Sequence, residues 1–541
     1  DRPRRMFLVT YVISFFYWTG NLYWIFPVTI VGGITICLYT ALLWPALAIC
    51  LRFCRTKKIP LFLAAGVLIV GIERMQGLFL GGFFWRFLAH SQYENTTIIQ
   101  IADIFGAGGV SFLIAMVNGL IAELILDAGY SVLDSRCSIL DARIWQSVFK
   151  RQNLLKAGVV GAAVIGSIAY GRWRIGQQKQ CIEPGPLAAS LQSNVPQSVK
   201  RTFESGDELF DGLMEHSEAA VEAGAELIVW PETMVQAMLD TNVWPYLTSP
   251  YKQDSMDMDK TLREHAKDNA YLLVGAYGSE VRQRASERYL ARFNSAFFYR
   301  PDGSKDPRRY DKIHLVPFGE VLPLRRTLSW FYELLMKIKF IPYEFDYSLD
   351  YGSNYTIFEM AGDSRRGQVQ DYRFGVIICY EGTVPKIAKE YTLDDQGEKR
   401  IDWIVNISND GWFVRFQDDE VQPSTELAQH AAVCAFRAVE NRLAVLRSVN
   451  TGISCLIDSS GRIRDGYLQG TLPTAAMSRT GMDGWFTERI PIDRRTSFFS
   501  KYGEWLDFCC ELCVILLIIG LLSVKFFRAK RWKKRFAKGV K

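Results

Sequence analysis

The chain is 541 residues long, 49% hydrophobic, and carries a formal net charge of +6, with a mean hydropathy of +0.03. That is too long for one ordinary domain, and the apolar content is high for a soluble protein. Nine of the basic residues fall in 525–541 with no acid among them. This tail directly follows an apolar stretch, which points to membrane topology and contact with anionic lipid rather than to nucleic acid.

Residues 6–51 contain no charged side chain. A membrane helix needs about 20 apolar residues, so this stretch holds two, with a turn at Gly20-Asn21. Further spans are expected at 60–84, 104–125, 157–170 and 508–527. The first of these carries Glu73 and Arg74, and ionisable groups at that depth pair or face a cavity. The 157–170 stretch is short and calls for Lys156 and Arg172 to snorkel at its ends. Placing Arg52, Arg55, Lys57, Lys58 and the basic 128–156 loop in the cytoplasm puts residues 172–505 on the other side and returns the tail to the inside. The expected organisation is a helical membrane region over 1–172 with about five spans, an extramembrane domain over 186–490, a last span over 505–528 and a basic tail over 529–541. Eleven cysteines are present, but seven lie in or near the apolar stretches, so they do not form a disulfide framework.

Within 186–490, strand-like runs recur at 187–191, 227–230, 271–276, 295–299, 374–379, 403–407 and 444–449. Helical patterns at 208–222, 256–269 and 427–442 lie between several of them. Such alternation argues for an α/β sheet covered by helices. The segment 328–347 is heavily aromatic and aliphatic, and is either core or an apolar arm that dips into the membrane interface. Trp244, Trp485 and Phe486 are further candidates for interface anchors.

Three polar groups close apolar runs in this block: Glu232 after Val229-Trp230-Pro231, Lys312 after Tyr310-Asp311, and Cys379 after Val376-Ile377-Ile378. Alone, each has a bland reading as a surface carboxylate, a solvated amine and a small buried hydrophobe. Together they suggest acyl transfer. A nucleophilic thiol needs a base or a positive neighbour, and none of the five histidines lies in a recognised cysteine-protease context. Glu232 can take the thiol proton, and Lys312 with the Tyr380 N–H can stabilise an oxyanion. Glu320 and Glu381 can orient Lys312 and support the base. No phosphate-binding loop or zinc spacing is present, so no cofactor or metal is expected.

These residues resemble the carbon–nitrogen hydrolase (nitrilase) superfamily, whose Glu, Lys and Cys match Glu232, Lys312 and Cys379 in order and context. Within it they are most similar to the membrane-embedded, lipoprotein-acylating branch. The carriers are Lys312 through Leu315-Val316-Pro317-Phe318-Gly319-Glu320, Cys379-Tyr380-Glu381, Asn409-Asp410-Gly411-Trp412-Phe413, Arg437, Glu440 and Arg442, and Asn450-Thr451-Gly452. The resemblance implies an αββα sandwich between N-terminal and C-terminal transmembrane helices, facing the periplasm from a bacterial inner membrane. It implies a monomer that moves an acyl chain from a phospholipid, through a Cys379 thioester, to the α-amine of a diacylglyceryl-cysteine at a lipoprotein N-terminus. Glu320, Tyr380 and Glu381 would complete the site. The branch usually has eight spans against the six read here, so two N-terminal spans are expected to be absent from this sequence.

Two other readings stay open on the residues alone. One is a membrane-anchored amidase that hydrolyses a small amide, which the 328–347 segment and the many spans argue against. The other is a transporter or structural membrane protein with a dead extramembrane domain, which intact Glu232, Lys312 and Cys379 argue against.

Overall fold

The computed structural model describes residues 3–78, 81–129, 146–195, 203–284, 287–321, 330, 348–362, 371–417 and 420–538. The proposed apolar arm at 328–347 and the centre of the 128–156 loop lie outside the described residues, apart from Trp330.

Helix α1 (Pro3–Asn21) ends where the sequence places a turn. Helices α2 (Ile30–Ala41) and α3 (Leu43–Thr56) form one apolar stretch with a break at Leu42. Pro45 has no N–H to return to the Ala41 carbonyl, which accounts for the break. Then follow α4 (Leu61–Leu78), α5 (Ala102–Asp127) and α6 (Arg151–Gly176), and after the α/β domain the helix Trp505–Lys538. Among the described residues, five stretches are long and apolar enough to cross a membrane: Ile30–Thr56, Leu61–Leu78, Ile98–Asp127, Arg151–Cys181 and Trp505–Ser523. Helix α1 is not among them: Arg4 and Arg5 open it and Thr19, Gly20 and Asn21 close it, which lowers its mean hydropathy.

Several charged groups in these helices are paired, while Glu73 instead accepts the Leu88 N–H at 2.5 Å. Arg74 holds Glu504 at 2.8 Å and Glu511 at 3.0 Å. Lys156 does not snorkel: its ammonium sits 2.8 Å from Glu123. An apolar environment makes an unpaired charge far more costly than a satisfied one.

Among the described residues the α/β domain holds two large sheets and a small antiparallel ribbon of β9 (Arg415–Gln417) and β10 (Glu420–Gln422). The larger runs in the order β13-β14-β1-β2-β3-β4-β5, with β1 Ile182–Gln192, β2 Leu227–Val229, β3 Tyr271–Arg284, β4 Glu287–Tyr299, β5 Tyr310–Asp311, β13 Gln469–Gly470 and β14 Gly484–Asp493. The smaller runs β12-β11-β8-β7-β6, with β6 Ile357–Met360, β7 Tyr372–Ile378, β8 Trp403–Ser408, β11 Ala444–Val449 and β12 Cys455–Ile457. Strands β1, β2 and β3 are mutually parallel, as are β7, β8 and β11. Each of the seven strand-like runs falls on one of these strands.

Period-2 alternation sorts the larger sheet's side chains into two layers. Ala188, Leu227, Val229, Leu273 and Phe298 belong to the core between the sheets, where Phe298 meets Phe374 at 5.4 Å and Phe358 at 5.1 Å. Ala189, Ile228, Leu272, Val274 and Phe297 face away, against Leu209, Phe210 and Leu213 of α7 (Phe203–Glu222) and Leu262 and Ala266 of α8 (Tyr251–Ala266). Helices α9 (Pro385–Thr392) and α10 (Thr425–Asn441) cover the smaller sheet. The order helix, sheet, sheet, helix is the expected αββα sandwich. Trp485 and Phe486 lie buried in β14, so they are packing residues rather than interface anchors.

Candidate active site

Open α/β sheets bind ligands at the carboxyl ends of their parallel strands. The three sequence-predicted groups are gathered at such ends. Glu232 follows β2, Cys379 follows β7 directly, and Lys312 follows the short β5 at the edge of the larger sheet. All three are buried, at 5%, 9% and 1% exposure respectively.

Glu232 is held on both oxygens. Its Oε1 accepts from Asn294 Nδ2 at 2.6 Å and from Lys312 Nζ at 3.3 Å, and its Oε2 accepts from the Asn409 N–H at 2.7 Å. The turn carrying Glu232 lies against β3 at Gly275, where a Cβ would come 2.4 Å from the Pro231 carbonyl and 2.7 Å from the Glu232 Cα. Only glycine permits that approach. Lys312 also donates to Glu320 at 2.9 Å, and Asn294 spans Glu232 and Glu320 with a second contact of 2.8 Å. Burial pulls the Lys312 ammonium down, but Glu232 and Glu320 outweigh it and hold the group well above its usual value.

Cys379 stands in the left-handed region with φ +51, unusual for a residue with a Cβ. Burial and the Glu232 charge push its thiol well above the usual range, against the opposing pull of Lys312; Asp410 adds to the rise and the Ser408 hydroxyl opposes it. The resting group is therefore a thiol that needs a base.

The supporting residues divide by what they touch. Glu320 contacts Lys312 directly. Glu381 touches neither Lys312 Nζ nor the thiol through a hydrogen bond. It accepts from the Ile313 and His314 N–H groups at 2.7 and 2.9 Å, from the Ile378 N–H at 2.8 Å and from the Tyr310 hydroxyl. One buried carboxylate thus ties the chain after Lys312 to the chain before Cys379. Burial raises its carboxyl to about 7, opposed by those backbone donors. Tyr380 reaches into the membrane region: its hydroxyl donates to the Gly82 carbonyl and accepts from the Phe84 N–H, each at 3.1 Å. Trp85 stacks parallel to its ring at 6.3 Å and donates to Gln429 of α10.

Sequence reasoning did not pick out Asn294 or His430. Asn294 is an inward polar residue on β4, a pattern visible in the strand but silent about its partners. His430 Nε2 lies 3.1 Å from the Cys379 carbonyl oxygen, and its Nδ1 lies 3.1 Å from both Asp410 oxygens. Asp410, Glu426 and His430 bring ligand atoms within 4.8 Å of one another, as a metal would need. Arg447 lies 3.5 Å from Asp410 and already supplies a cation there, so the donor set fits an internal ion-pair cluster better than a metal site.

Fold and site together define a membrane protein with a nitrilase-like αββα domain carrying a buried Cys, Glu and Lys at its strand ends. Residues 187–480 match the carbon–nitrogen hydrolase family, and residues 1–120 match the apolipoprotein N-acyltransferase N-terminal domain. The chain belongs to the carbon–nitrogen hydrolase family, in its membrane-embedded branch. It is similar to a Geobacter metallireducens protein named apolipoprotein N-acyltransferase, 28% identical over 522 residues that cover 94% of this chain and 85% of that one. Apolipoprotein N-acyltransferase 1 of Treponema denticola is 23% identical over 86% of this chain and 78% of its own. An amidase from Nesterenkonia sp. aligns with 58% of this chain and 94% of its own at 14% identity and a TM-score of 0.36, too slight a likeness to bear on the site.

Proposed function

We propose that this protein N-acylates lipoproteins with a chain taken from a phospholipid, by a two-step exchange through Cys379. In the first step the Glu232 carboxylate takes the thiol proton and Sγ adds to an ester carbonyl of the phospholipid. The oxyanion that develops faces the Lys312 ammonium and the Tyr380 N–H. Collapse breaks the ester C–O bond, the leaving alkoxide takes the proton from Glu232, and a lysophospholipid departs from a thioester on Cys379. In the second step the neutral α-amine of a diacylglyceryl-cysteine adds to the thioester. Glu232 accepts the amine proton and returns it to the leaving thiolate, so the amide product and the free thiol are formed together. On this reading the spans lie in a bacterial inner membrane, the domain faces the periplasm, and the protein acts as a monomer.

The observation that carries the reading is the buried contact of Glu232 with Lys312, both charges acting on the Cys379 thiol, beneath a loop from the membrane helices. A soluble site would have to extract both lipid-bearing substrates from the bilayer, whereas Tyr380 couples the nucleophile turn to residues Gly82 and Phe84 beside a membrane helix. A dry pocket also keeps water from the thioester until the amine arrives. The test is the intact mass of the protein after incubation with a phospholipid of defined acyl chain and no acceptor. A gain of one acyl group, absent in Cys379→Ala, is expected. A folded protein that leaves the lipid intact and instead hydrolyses small amides would replace this reading with the amidase.

A further inference from the structure

His430 is the one ring among the described residues that contacts the Cys379 main chain. It is 1% exposed and sits on α10, directly beneath the nucleophile turn. A carbonyl oxygen only accepts, so the nitrogen facing Cys379 carries hydrogen. The other nitrogen faces Asp410, which accepts from the Ser408 hydroxyl at 2.6 Å and pairs with Arg447. Burial raises the Asp410 carboxyl, but His430, Arg447 and Ser408 together hold it below the usual carboxylate value, so Asp410 is an acceptor as well. Nε2 is therefore the donor to the Cys379 carbonyl, while Nδ1 is turned toward the Asp410 carboxylate.

We propose that His430 is the positioning residue of the nucleophile: by donating its Nε2–H to the Cys379 carbonyl it fixes the left-handed turn that aims the thiol at Glu232 and Lys312. This rests on Cys379 being the acyl carrier. A left-handed residue with a Cβ persists only where its neighbours over-determine it. Here the Ile378 N–H is held by Glu381 on one side, and the Tyr380 carbonyl accepts from the Thr383 hydroxyl at 2.8 Å on the other. The Cys379 carbonyl between them has the imidazole as its partner. Asp410 orients the ring from behind, as the carboxylate partner of a functional histidine commonly does. Glu426 lies 3.5 Å from Nδ1, and neither of its oxygens makes a hydrogen bond among the described residues. Arg447 completes the set of charges around the ring, with the Cys434 thiol 2.9 Å from its Nη1.

The test uses the full-length protein in phospholipid nanodiscs, with acyl-enzyme formation followed by mass and Cys379 alkylation by iodoacetamide followed on its own peptide. A glutamine amide can reach the place of Nε2, whereas an asparagine amide reaches only that of Nδ1. His430→Asn is expected to slow acyl-enzyme formation about 100-fold, and His430→Gln only about tenfold, with KM for the phospholipid unchanged in both, the scale set by a displacement of about 1 Å at a reacting group. Equal rates in the two variants at equal folded fraction would overturn the proposal, since a purely structural role would penalise both alike. Should neither variant fold, the ring-15N spectrum of histidine-labelled wild-type protein decides. A His430 ring whose Nε2 carries hydrogen is expected, and a bare Nε2 on that ring would sink the idea. Alkylation and the nitrogen spectrum need no lipid, so they stand apart from the acyl-transfer reading: Cys379 is expected to alkylate at a more altered rate in His430→Asn than in His430→Gln, and that difference in a protein whose wild type forms no acyl-enzyme would refute the acyl-transfer reading alone.

Discussion

Glu232 and Lys312 form a contact that keeps the lysine charged, and the thiol feels both groups. The lysine stands between two carboxylates, Glu232 and Glu320, so it remains an ammonium in spite of complete burial. Replacing it with a neutral residue leaves two facing carboxylates and a thiol that is harder still to ionise. Lys312→Met should therefore slow acyl-enzyme formation by about 10²–10³-fold, the usual cost of losing one preorganised oxyanion donor, measured in a single-turnover assay with phospholipid. Glu232→Gln acts with opposite signs on two readouts. The Glu232 charge raises the Cys379 thiol, so removing it lowers the thiol and raises the thiolate fraction at fixed pH. Iodoacetamide should then label Cys379 faster than in wild type, while acyl transfer falls by about 10²–10⁴-fold for want of the base. Slower labelling in a folded Glu232→Gln protein would contradict this account of the thiol.

The elements matter chiefly through their ends. Strand β2 is only three residues long, yet it sets the height at which Glu232 enters, because its following turn rests on Gly275 of β3. Gly275→Ala would drive a methyl into the Pro231 carbonyl and the Thr233 N–H, at 2.4 and 2.6 Å. It should destabilise the protein by roughly 1–3 kcal/mol in thermal unfolding, the range for overpacking, and reduce acyl-enzyme formation by more than that loss of folded protein explains. Tyr380 is the corresponding hinge between domain and membrane. Tyr380→Phe leaves the Phe84 N–H and Gly82 carbonyl without their common partner, at a cost of about 1–3 kcal/mol for buried groups. Faster hydrogen exchange at Gly82–Phe84 than in wild type, with the strands of the sandwich unaffected, is the expected signature.

Across the whole molecule, α10 joins chemistry to membrane. Its residue His430 meets the nucleophile turn, Glu440 accepts the Ala107 N–H at 2.9 Å, and Arg442 just beyond its end reaches Asp103 at 2.5 Å. Helix α5 kinks at Gly106, with φ +68 and ψ −176, and this frees the Ala107 N–H that Glu440 takes. Asp103 is 1% exposed and also pairs with Arg174 of α6 at 2.7 Å. One carboxylate therefore serves two buried guanidinium groups from opposite sides of the junction. Asp103→Ala should lower stability by roughly 3–5 kcal/mol, as expected when a buried partner is removed and charge is left uncompensated. Thermal unfolding in nanodiscs measures it, and a loss below about 1 kcal/mol would mean that the junction is held by the apolar contacts of Ile99, Val110, Phe436 and Val439 instead.

Much of this was legible along the chain, because it is written in local pattern. Apolar length marks the spans, period-2 alternation marks β1 to β4, and the ends of apolar runs single out Glu232, Lys312 and Cys379 as groups that a strand delivers to a site. The pattern of α1 is mixed, with apolar and polar residues side by side, so its helix but not its depth follows from the sequence. Other features are properties of contacts between distant segments, which no window along the chain contains. Lys156 meets Glu123, Tyr380 meets Gly82, and Trp485 is buried only because β14 pairs antiparallel with β1. Asn294 and His430 look ordinary in sequence, for their roles depend on partners 62 and 51 residues away. By itself, then, the sequence determined which segments are apolar, which are strands and which side chains end them, because these depend on neighbours in the chain. Tertiary structure alone decided which carboxylate faces which cation, and what holds the thiol in its turn, because burial and charge pairing depend on neighbours in space.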